Sequence, residues 1–379
     1  MIFDYDTLRF IWWAFLGVLL IGFAISGGYD CGVAILLPYL GKTDQQRRVI
    51  LNTIGSTWEG NQVWLITAGG ALFAAWPMAY AVAFSSFYLA LFLTLLALWL
   101  RPLGFDYRSK LTNPNWRSYW DSALFIGGLV PALIFGVAFG NLLRGIPFHL
   151  ENDMQIRYLG DFFGLLNPFA LLAGIVSLFM LVMHAGIFLQ IKTEGEIQQR
   201  AKSAVIIAGS VFLSAFLLAG LWITRLEGYH INTPILSNAV SNPLTKLVKR
   251  GEGLWLDNYE HFPILWSIPI SVFITALLAM WLSKRNYSGW AFISSAIALA
   301  GVILTAGVSM FPFLIPSNIS LHSSLTIWDA SSSQRTLHIM FWVTIFFLPI
   351  ILLYTRWVFR VLRGKMTEEM IEQHSHQLY

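Results

Sequence analysis

The chain has 379 residues, of which 56% are hydrophobic and 12% charged, with 16 Trp and 29 Phe. A soluble globular chain carries about 25% charged residues, so this composition excludes an ordinary soluble enzyme and points to an all-α polytopic membrane protein. The net charge of +4 carries little information by itself and no nucleic-acid partner is expected; the single cysteine, Cys31, excludes a disulfide framework within the chain.

The N-terminal stretch MIFDYDTLRF has acids where a signal peptide has basic residues, and the apolar run behind it outlasts a signal-peptide core. It reads as a retained span. At about 20 residues per crossing, the sequence divides into nine spans: 10–37, 58–76, 79–100, 119–143, 163–191, 204–223, 263–282, 290–315 and 337–359. Thr43-Asp-Gln-Gln-Arg-Arg, between the first two, reads as an N-capped amphipathic helix at the interface, with Val49 and Ile50 turned inward. The segments after spans one, three, five, seven and nine hold sixteen of the 24 basic residues. By the positive-inside rule the N-terminus is then periplasmic and the C-terminus cytoplasmic. The longest loop, 230–261, falls outside and is rich in turn signals (Asn232-Thr-Pro, Ser241-Asn-Pro, Gly251-Glu-Gly), so it is expected to be an irregular cap. The polar tail from Lys365 is expected to form a short cytoplasmic helix starting at Thr367. Spans one to four and five to eight can be paired as two four-helix bundles with the ninth helix added. This divides the chain into 1–160, 161–320 (with the periplasmic loop 224–262) and 321–379. The internal likeness, FIWWAFLGVLLIGFAISGG against FALLAGIVSLFMLVMHAG, is barely better than that of any two apolar helices.

Chemistry-bearing residues cluster at one membrane face. The second span opens with Trp58, Glu59, Asn61 and Gln62, polar groups that are costly in hydrocarbon unless they face protein, water or an ion route. Gly70 and Ala74 in the same span would let another helix approach, so this helix is expected to pack tightly inside a bundle. Asp30 lies about 20 residues into the first span, on one face with Gly22 and Ser26. With the inside orientation, Asp30, Glu59, Asp106 and Asp121 all gather towards the cytoplasm. Acids bordering spans are candidates for proton relays. For Asp106 and Asp121 the competing reading is ion pairing with Arg101 or Arg108. Histidine offers no haem site: of eight, only His184 is well inside a span, and His338 lies at the opposite end, so the two cannot share an iron. No catalytic residue and no metal site are expected in the chain, and the sequence holds no HExxH, GxSxG, CxxC pair or phosphate-binding loop. GVAFG at 136–140 reads as a helix-packing motif.

At WEGNQVWLITAGGALFAAWP the chain resembles subunit II of the cytochrome bd quinol oxidases, in its proteobacterial long form. The resemblance recurs in RPLGFDYRSK (101–110), GVAFGNLL (136–143), LLNPF (165–169), TAGVSMFPFLIPS (305–317), SLTIWDASSSQ (324–334), PIILLY (349–354) and the terminal QLY. It implies nine spans as two four-helix bundles plus one helix, in a bacterial inner membrane. The partner it implies is a homologous subunit I carrying two b-type haems and one d-type haem. Such a complex, a ubiquinol oxidase of aerobic respiration, oxidises quinol and reduces oxygen to water, with a proton gradient formed without pumping. Subunit II is similar to a haem-free scaffold that contributes cytoplasmic proton uptake and can hold a structural quinone; phospholipid and a small single-span subunit are further partners. Residue by residue, Trp58, Glu59 and Asn61 match the family's W-[D/E]-G-N element, and Arg101 and Asp106 its R-P…F-D-Y-R element. Asp30 matches the second acid of a D-G-F-D pattern that reads Gly27-Gly28-Tyr29-Asp30 here, so the first acid is missing and Ser26 or water would have to bridge. A route led by Glu59 more than by Asp30 is therefore expected. The competing class is a proton-coupled secondary transporter with Asp30 and Glu59 as coupling acids. Its helix-breaking segments at mid-membrane and polar central pocket are not evident in these apolar spans.

Overall fold

The computed structural model describes residues 3–234 and 236–373. The terminal QLY motif, His374 and His376 lie outside them. Thirteen helices follow in order: α1 (Tyr5–Leu40), α2 (Asp44–Asn52), α3 (Trp58–Ala75), α4 (Pro77–Ser86), α5 (Tyr88–Arg108), α6 (Pro114–Arg144), α7 (Pro168–Lys192), α8 (Gly195–Ile223), α9 (Asp257–His261), α10 (Ser267–Lys284), α11 (Ser288–Met310), α12 (Gln334–Val361) and α13 (Glu368–Gln373). Among the described residues eight are long and apolar enough to cross a membrane: α1, α5, α6, α7, α8, α10 with its lead-in turn from Pro263, α11 and α12. The chain is a multi-pass membrane protein.

Local chemistry sets the helix starts. Asp4 caps α1 by accepting from Thr7 N at 3.0 Å, Thr43 caps α2, and Asn167 accepts from Ala170 N ahead of Pro168 at the head of α7. Pro77 forces the break between α3 and α4: the residue before it, Trp76, is driven out of the helical region, to φ −136° and ψ 73°. The expected span 79–100 is broken at Phe87, where ψ reaches 17°. The hydrogen bonds run on through it (Phe87 N to Ala83 O, 2.9 Å; Leu91 N to Phe87 O, 2.8 Å), so this is a kink rather than a loop. The expected span 290–315 is too long. Its helix ends at Met310 because Pro312 cannot continue the ladder, and Phe313–Ile315 forms a strand.

In packing, α1, α3, α5 and α6 form one group and α7, α8, α10 and α11 another, joined where α1 and α6 meet α7 and where α1 meets α11. Hydrophobic burial gives no drive between helices in lipid, so close approach through small residues must supply contact energy. Gly136 and Gly140 do this for α6 against α7: a Cβ at 140 would stand 2.5 Å from Ala170 Cα, and one at 136 would collide with the carbonyl oxygen of Ala173. The 136–140 motif is thus used for packing. α3, by contrast, is not tightly enclosed. Its buried residues, Asn61, Ala68 and Ala75, recur every seven positions and form one stripe against α1, with Trp64 laid on Gly22. Gly60, Gly69 and Gly70 meet nothing within 4 Å, and Glu59, Val63, Ile66, Thr67, Gly70 and Phe73 form an open opposite face. A single stripe cannot fill two sides of a helix, which is why the expected tight packing fails.

The helix ends sort into two layers. At the basic end, α2 and the α5–α6, α7–α8 and α12–α13 connections meet: Arg200 donates to Leu40 O and Gln46 Oε1, and Met366 N to Lys192 O. Val49 and Ile50 of α2 are buried, as their pattern implies. At the other end, the α6–α7, α8–α10 and α11–α12 connections form a cap. It is more regular than the turn-rich sequence suggested, with antiparallel pairs β1 (Phe148–Leu150) with β2 (Ile156–Tyr158), β3 (Glu227–Ile231) with β4 (Val248–Glu252), and β5 (Phe313–Ile315) with β6 (Leu325–Thr326). Arg9, fully buried, ties α1 into this cap through Ser331, Ser241 and the carbonyls of Ser237 and Ala239. Burial pushes the Lys246 ammonium below the usual lysine range; the Asp329 carboxylate 2.8 Å away opposes that shift.

Candidate functional site

Glycine spacing places the site. Along α1, Gly28 and Gly32 let α7 come close (a Cβ at 28 would stand 2.6 Å from Leu181 Cδ2, one at 32 2.6 Å from Leu181 O), while Gly128 lets α6 reach the Cys31 carbonyl. The turn between, at Tyr29 and Asp30, is therefore wrapped on two sides, and α3 closes a third. Asp30 is 0% exposed. Its Oδ2 accepts from Asn61 Nδ2 at 2.9 Å, and the same amide donates to Tyr29 Oη at 2.8 Å.

A cation faces this pair. Arg101 of α5, 1% exposed, extends its stem over Gly127 and sets its guanidinium beside Cys31 Sγ (3.8 Å) and over the Trp58 ring (5.5 Å to the centroid). No ion pair within 4.0 Å forms between Arg101 and Asp30. Trp58 stacks on Phe105 with centroids 5.3 Å apart and an interplanar angle of 14°. Asp30 Oδ1, Arg101 Nε and Arg101 Nη2 are buried without a partner in the chain. Orphaned buried polar atoms of opposite sign call for water or a mobile ion between them. A carboxyl with one oxygen held and the other free can bind and release a proton.

The expected residues divide. Asp30, Asn61, Arg101 and Trp58 converge. Glu59 and Asp106, each next in sequence to a member of the Trp58–Phe105 stack, are exposed on the outside of the chain. Ser26 donates to its own helix at Gly22 O (2.7 Å). Asp121 belongs to an ion network instead: Arg108 Nε at 2.5 Å and Arg47 Nη1 at 2.7 Å hold its two oxygens, and Arg108 and Arg117 share Asp44. The ion-pairing alternative is thus realised for Asp121, with Arg108 and Arg47. Sequence reasoning missed Tyr29. The available signal was a hydroxyl-bearing ring beside an intramembrane acid, at the position where the D-G-F-D pattern has Phe.

Among the described residues, the His184 ring is not free to ligate a haem iron. Both His184 nitrogens are engaged, Nε2 donating to Ile25 O (3.0 Å) and Nδ1 bonding Ser295 Oγ (2.7 Å), with Phe292 stacked on the ring at 4.4 Å. His338 Nε2 accepts from Trp342 Nε1 on its own helix, and its Nδ1 is buried without a partner in the chain.

Comparison with known proteins places this architecture. The family model for cytochrome bd terminal oxidase subunit II matches residues 8–362. The cytochrome bd-I ubiquinol oxidase subunit 2 of Escherichia coli K12 is 50% identical over 377 residues, covering 99% of this chain and 100% of the relative. A probable cytochrome oxidase subunit 2 of Haemophilus influenzae is 51% identical over 376 residues, with the same coverage. The cytochrome bd ubiquinol oxidase subunit 2 of Bacillus subtilis is 30% identical over 370 residues, covering 96% of this chain and 98% of the relative. The solved structure of bd oxidase from Geobacillus thermodenitrificans shares the fold, with TM-score 0.69 at 17% identity over 94% of this chain and 98% of that one. The chain belongs to the cytochrome bd terminal oxidase subunit II family.

Proposed function

We propose that this subunit conducts protons from the cytoplasm towards its haem-bearing partner through Asp30, in addition to scaffolding the complex. The chain is a subunit of a cytochrome bd-type ubiquinol oxidase, a terminal oxidase of respiratory electron transport in the bacterial inner membrane, and its partner is subunit I. Family membership sets the transporter reading aside. Haems, expected as two b-type and one d-type in subunit I, supply the oxygen chemistry when bound there; this chain's part is to hold and move protons.

One observation carries the reading: Asp30 is enclosed and half-paired, and the buried Arg101, which reaches the neighbouring Cys31, also has unpaired nitrogens. A packing carboxylate would have both oxygens satisfied, as Asp121 does. Arg101 holds a positive charge where a carboxylate must persist between proton arrivals. Glu59 and Asp106, on the open side of α3 and at the end of α5, are placed to pass protons across to subunit I, and Ser26 lies one turn above Asp30. The fuller topology follows from the same reading: α3 with the eight longer helices makes nine crossings, two four-helix bundles plus α12, with the basic end cytoplasmic. The ranges 1–160, 161–320 and 321–379 are the corresponding units. The open face of α3 is the contact for subunit I. A cavity of about 500 Å³ between the two groups, lined by Phe23, Phe135, Phe169, Phe216 and Trp266, suits the tail of a structural quinone or phospholipid. A small single-span subunit is a further partner in this reading.

The test is Asp30→Asn in the assembled complex. Oxygen consumption should fall about tenfold or more with normal haem content, since a positioned proton-transfer group contributes on that scale or above. Normal turnover at saturating quinol would leave only the scaffold.

A further inference from the structure

The end of α12 changes character abruptly. Tyr354 and Trp357 are exposed on its last turns, and aromatic rings on an open helix mark the headgroup level of a membrane. Basic residues then follow at 356, 360, 363 and 365. The helix stops at Val361, and the chain behind it is strapped to the end of α7: Met366 N donates to Lys192 O (2.8 Å) and Lys192 Nζ to Leu362 O (2.7 Å). Strap, α7 and the α2–α3 turn enclose a cavity of about 250 Å³ that shares no lining residue with the larger apolar one. Beyond the strap α13 docks on α2, with Ile371 buried and Gln45 Nε2 bonded to Glu372 Oε1 at 2.6 Å.

The lining of this smaller cavity has two chemistries. Phe188, Phe359, Leu362 and Met366 are apolar; Lys192, Arg363 and Lys365 are cationic, and no carboxylate lines it. Thr53 and Thr57 line it too, but their hydroxyls donate back to Ile50 O (2.7 Å) and Ile54 O (3.3 Å), so the cations are the main donors left for a ligand. These cations are poorly neutralised. The Lys192 ammonium has three protons and gives one to a carbonyl. Lys365 has Glu194 at 4.0 Å, the outer limit of an ion pair, and Arg363 has no ion-pair partner among the described residues. Three like charges around one small cavity repel each other, and an anion among them relieves that cost.

We propose that this cavity is a binding site for the headgroup of an anionic phospholipid, with the phosphate held by Lys192, Arg363 and Lys365. A phosphate offers oxygens in several directions, which suits a guanidinium fork and two ammonium groups approaching from separate elements. A free phosphate ion would satisfy the same cations. The lipid is favoured by the apolar part of the lining, which a free ion would leave in water, and by the aromatic residues that put the cavity at headgroup depth. Basic pockets beside spans on the cytoplasmic side recognise lipid headgroups in this way. The acyl chains would run from the cavity mouth along the open face of α12. Because the three cations come from α7 and from the strap, a bound headgroup fastens the strap, and with it α13, to the rest of the bundle. The site is independent of the role assigned to Asp30.

The experiment titrates the assembled, delipidated oxidase in detergent with phosphatidylglycerol or phosphatidylcholine and counts bound lipid by native mass spectrometry. Wild type is compared with a cavity pair, Arg363→Gln with Lys365→Gln, and with a control pair at the same end outside the cavity, Lys284→Gln with Arg285→Gln. Both cavity side chains are exposed, so the Met366–Lys192 backbone bond survives their change. Wild type should hold one more phosphatidylglycerol than the cavity pair, with affinity lowered about twentyfold in that pair, since each cation near an anionic headgroup contributes about fivefold. The control pair should bind as wild type does, and phosphatidylcholine should bind more weakly than phosphatidylglycerol. If the cavity pair does not assemble, Arg363→Gln alone should show about a fivefold loss. Equal binding of the two lipids by wild type, undiminished binding in the cavity variants, or an equal loss in both pairs would overturn the site. Displacement of the lipid by inorganic phosphate at matched concentration would make it a free-phosphate site and overturn the lipid assignment.

Discussion

Replacing Asp121 should damage the protein without touching its chemistry. The Asp121 carboxylate takes Arg108 Nε at 2.5 Å, Arg108 Nη2 at 3.3 Å and Arg47 Nη1 at 2.7 Å. The Arg108 side chain is only 1% exposed. Deleting one partner of a buried pair costs about 3–5 kcal/mol, because the remaining charge stays desolvated. Arg47, 28% exposed, can turn to water, and Asp44 still accepts from Arg108, so the lower end applies. About 3 kcal/mol is roughly a 150-fold loss in the folding equilibrium at 1.36 kcal/mol per decade. Asp121→Ala should therefore shorten the half-life of the haem spectrum of the detergent-solubilised complex at raised temperature, with turnover per intact haem unchanged. Removing both charges together, Arg108→Met with Asp121→Leu, should cost less than the single change. Wild-type thermal resistance in Asp121→Ala, or normal resistance with slowed turnover, would refute this assignment.

Gly136→Val should abolish assembly, read as loss of haem-bearing complex from membranes, because its side chain would enter the Ala173 carbonyl at the α6–α7 contact. In the cap, Asp329→Asn should leave Lys246 without its counter-charge at 7% exposure, and limited proteolysis of isolated complex should speed up within 236–247. Reporter fusions after Lys192 and Lys284 should read cytoplasmic and fusions within 236–251 periplasmic; the reverse for the long loop would break the nine-crossing topology.

How much was legible in the sequence follows from what each signal depends on. Apolar runs and caps are local, so the helices, the Thr43 cap and the inward Val49 and Ile50 of α2 could be read directly. Kinks were less visible: Trp76 is betrayed by Pro77, whereas nothing local marks Phe87. Position along each helix was legible but neighbourhood was not. Asp30, Glu59, Asp106 and Asp121 could each be named from the sequence, yet which acid is wrapped depends on glycines of α1 and α6 meeting their partners, a long-range fact. Asp121 was captured by Arg47 from a different element, and Asp30 by Asn61. Tyr29 went unread because a tyrosine in an apolar span is usually packing, and only its bond to Asn61 gives it another use.

The most direct test of the proposed proton role is proton uptake from the cytoplasmic face of oxidase reconstituted in vesicles, followed on reduction of oxygen by the pre-reduced enzyme. Asp30→Asn and Glu59→Gln are compared at equal haem content. With Asp30 enclosed and Glu59 exposed at the rim, uptake should be slowed in both and more strongly in Asp30→Asn. Wild-type uptake in Asp30→Asn, at any extent of loss in Glu59→Gln, would contradict a route through Asp30.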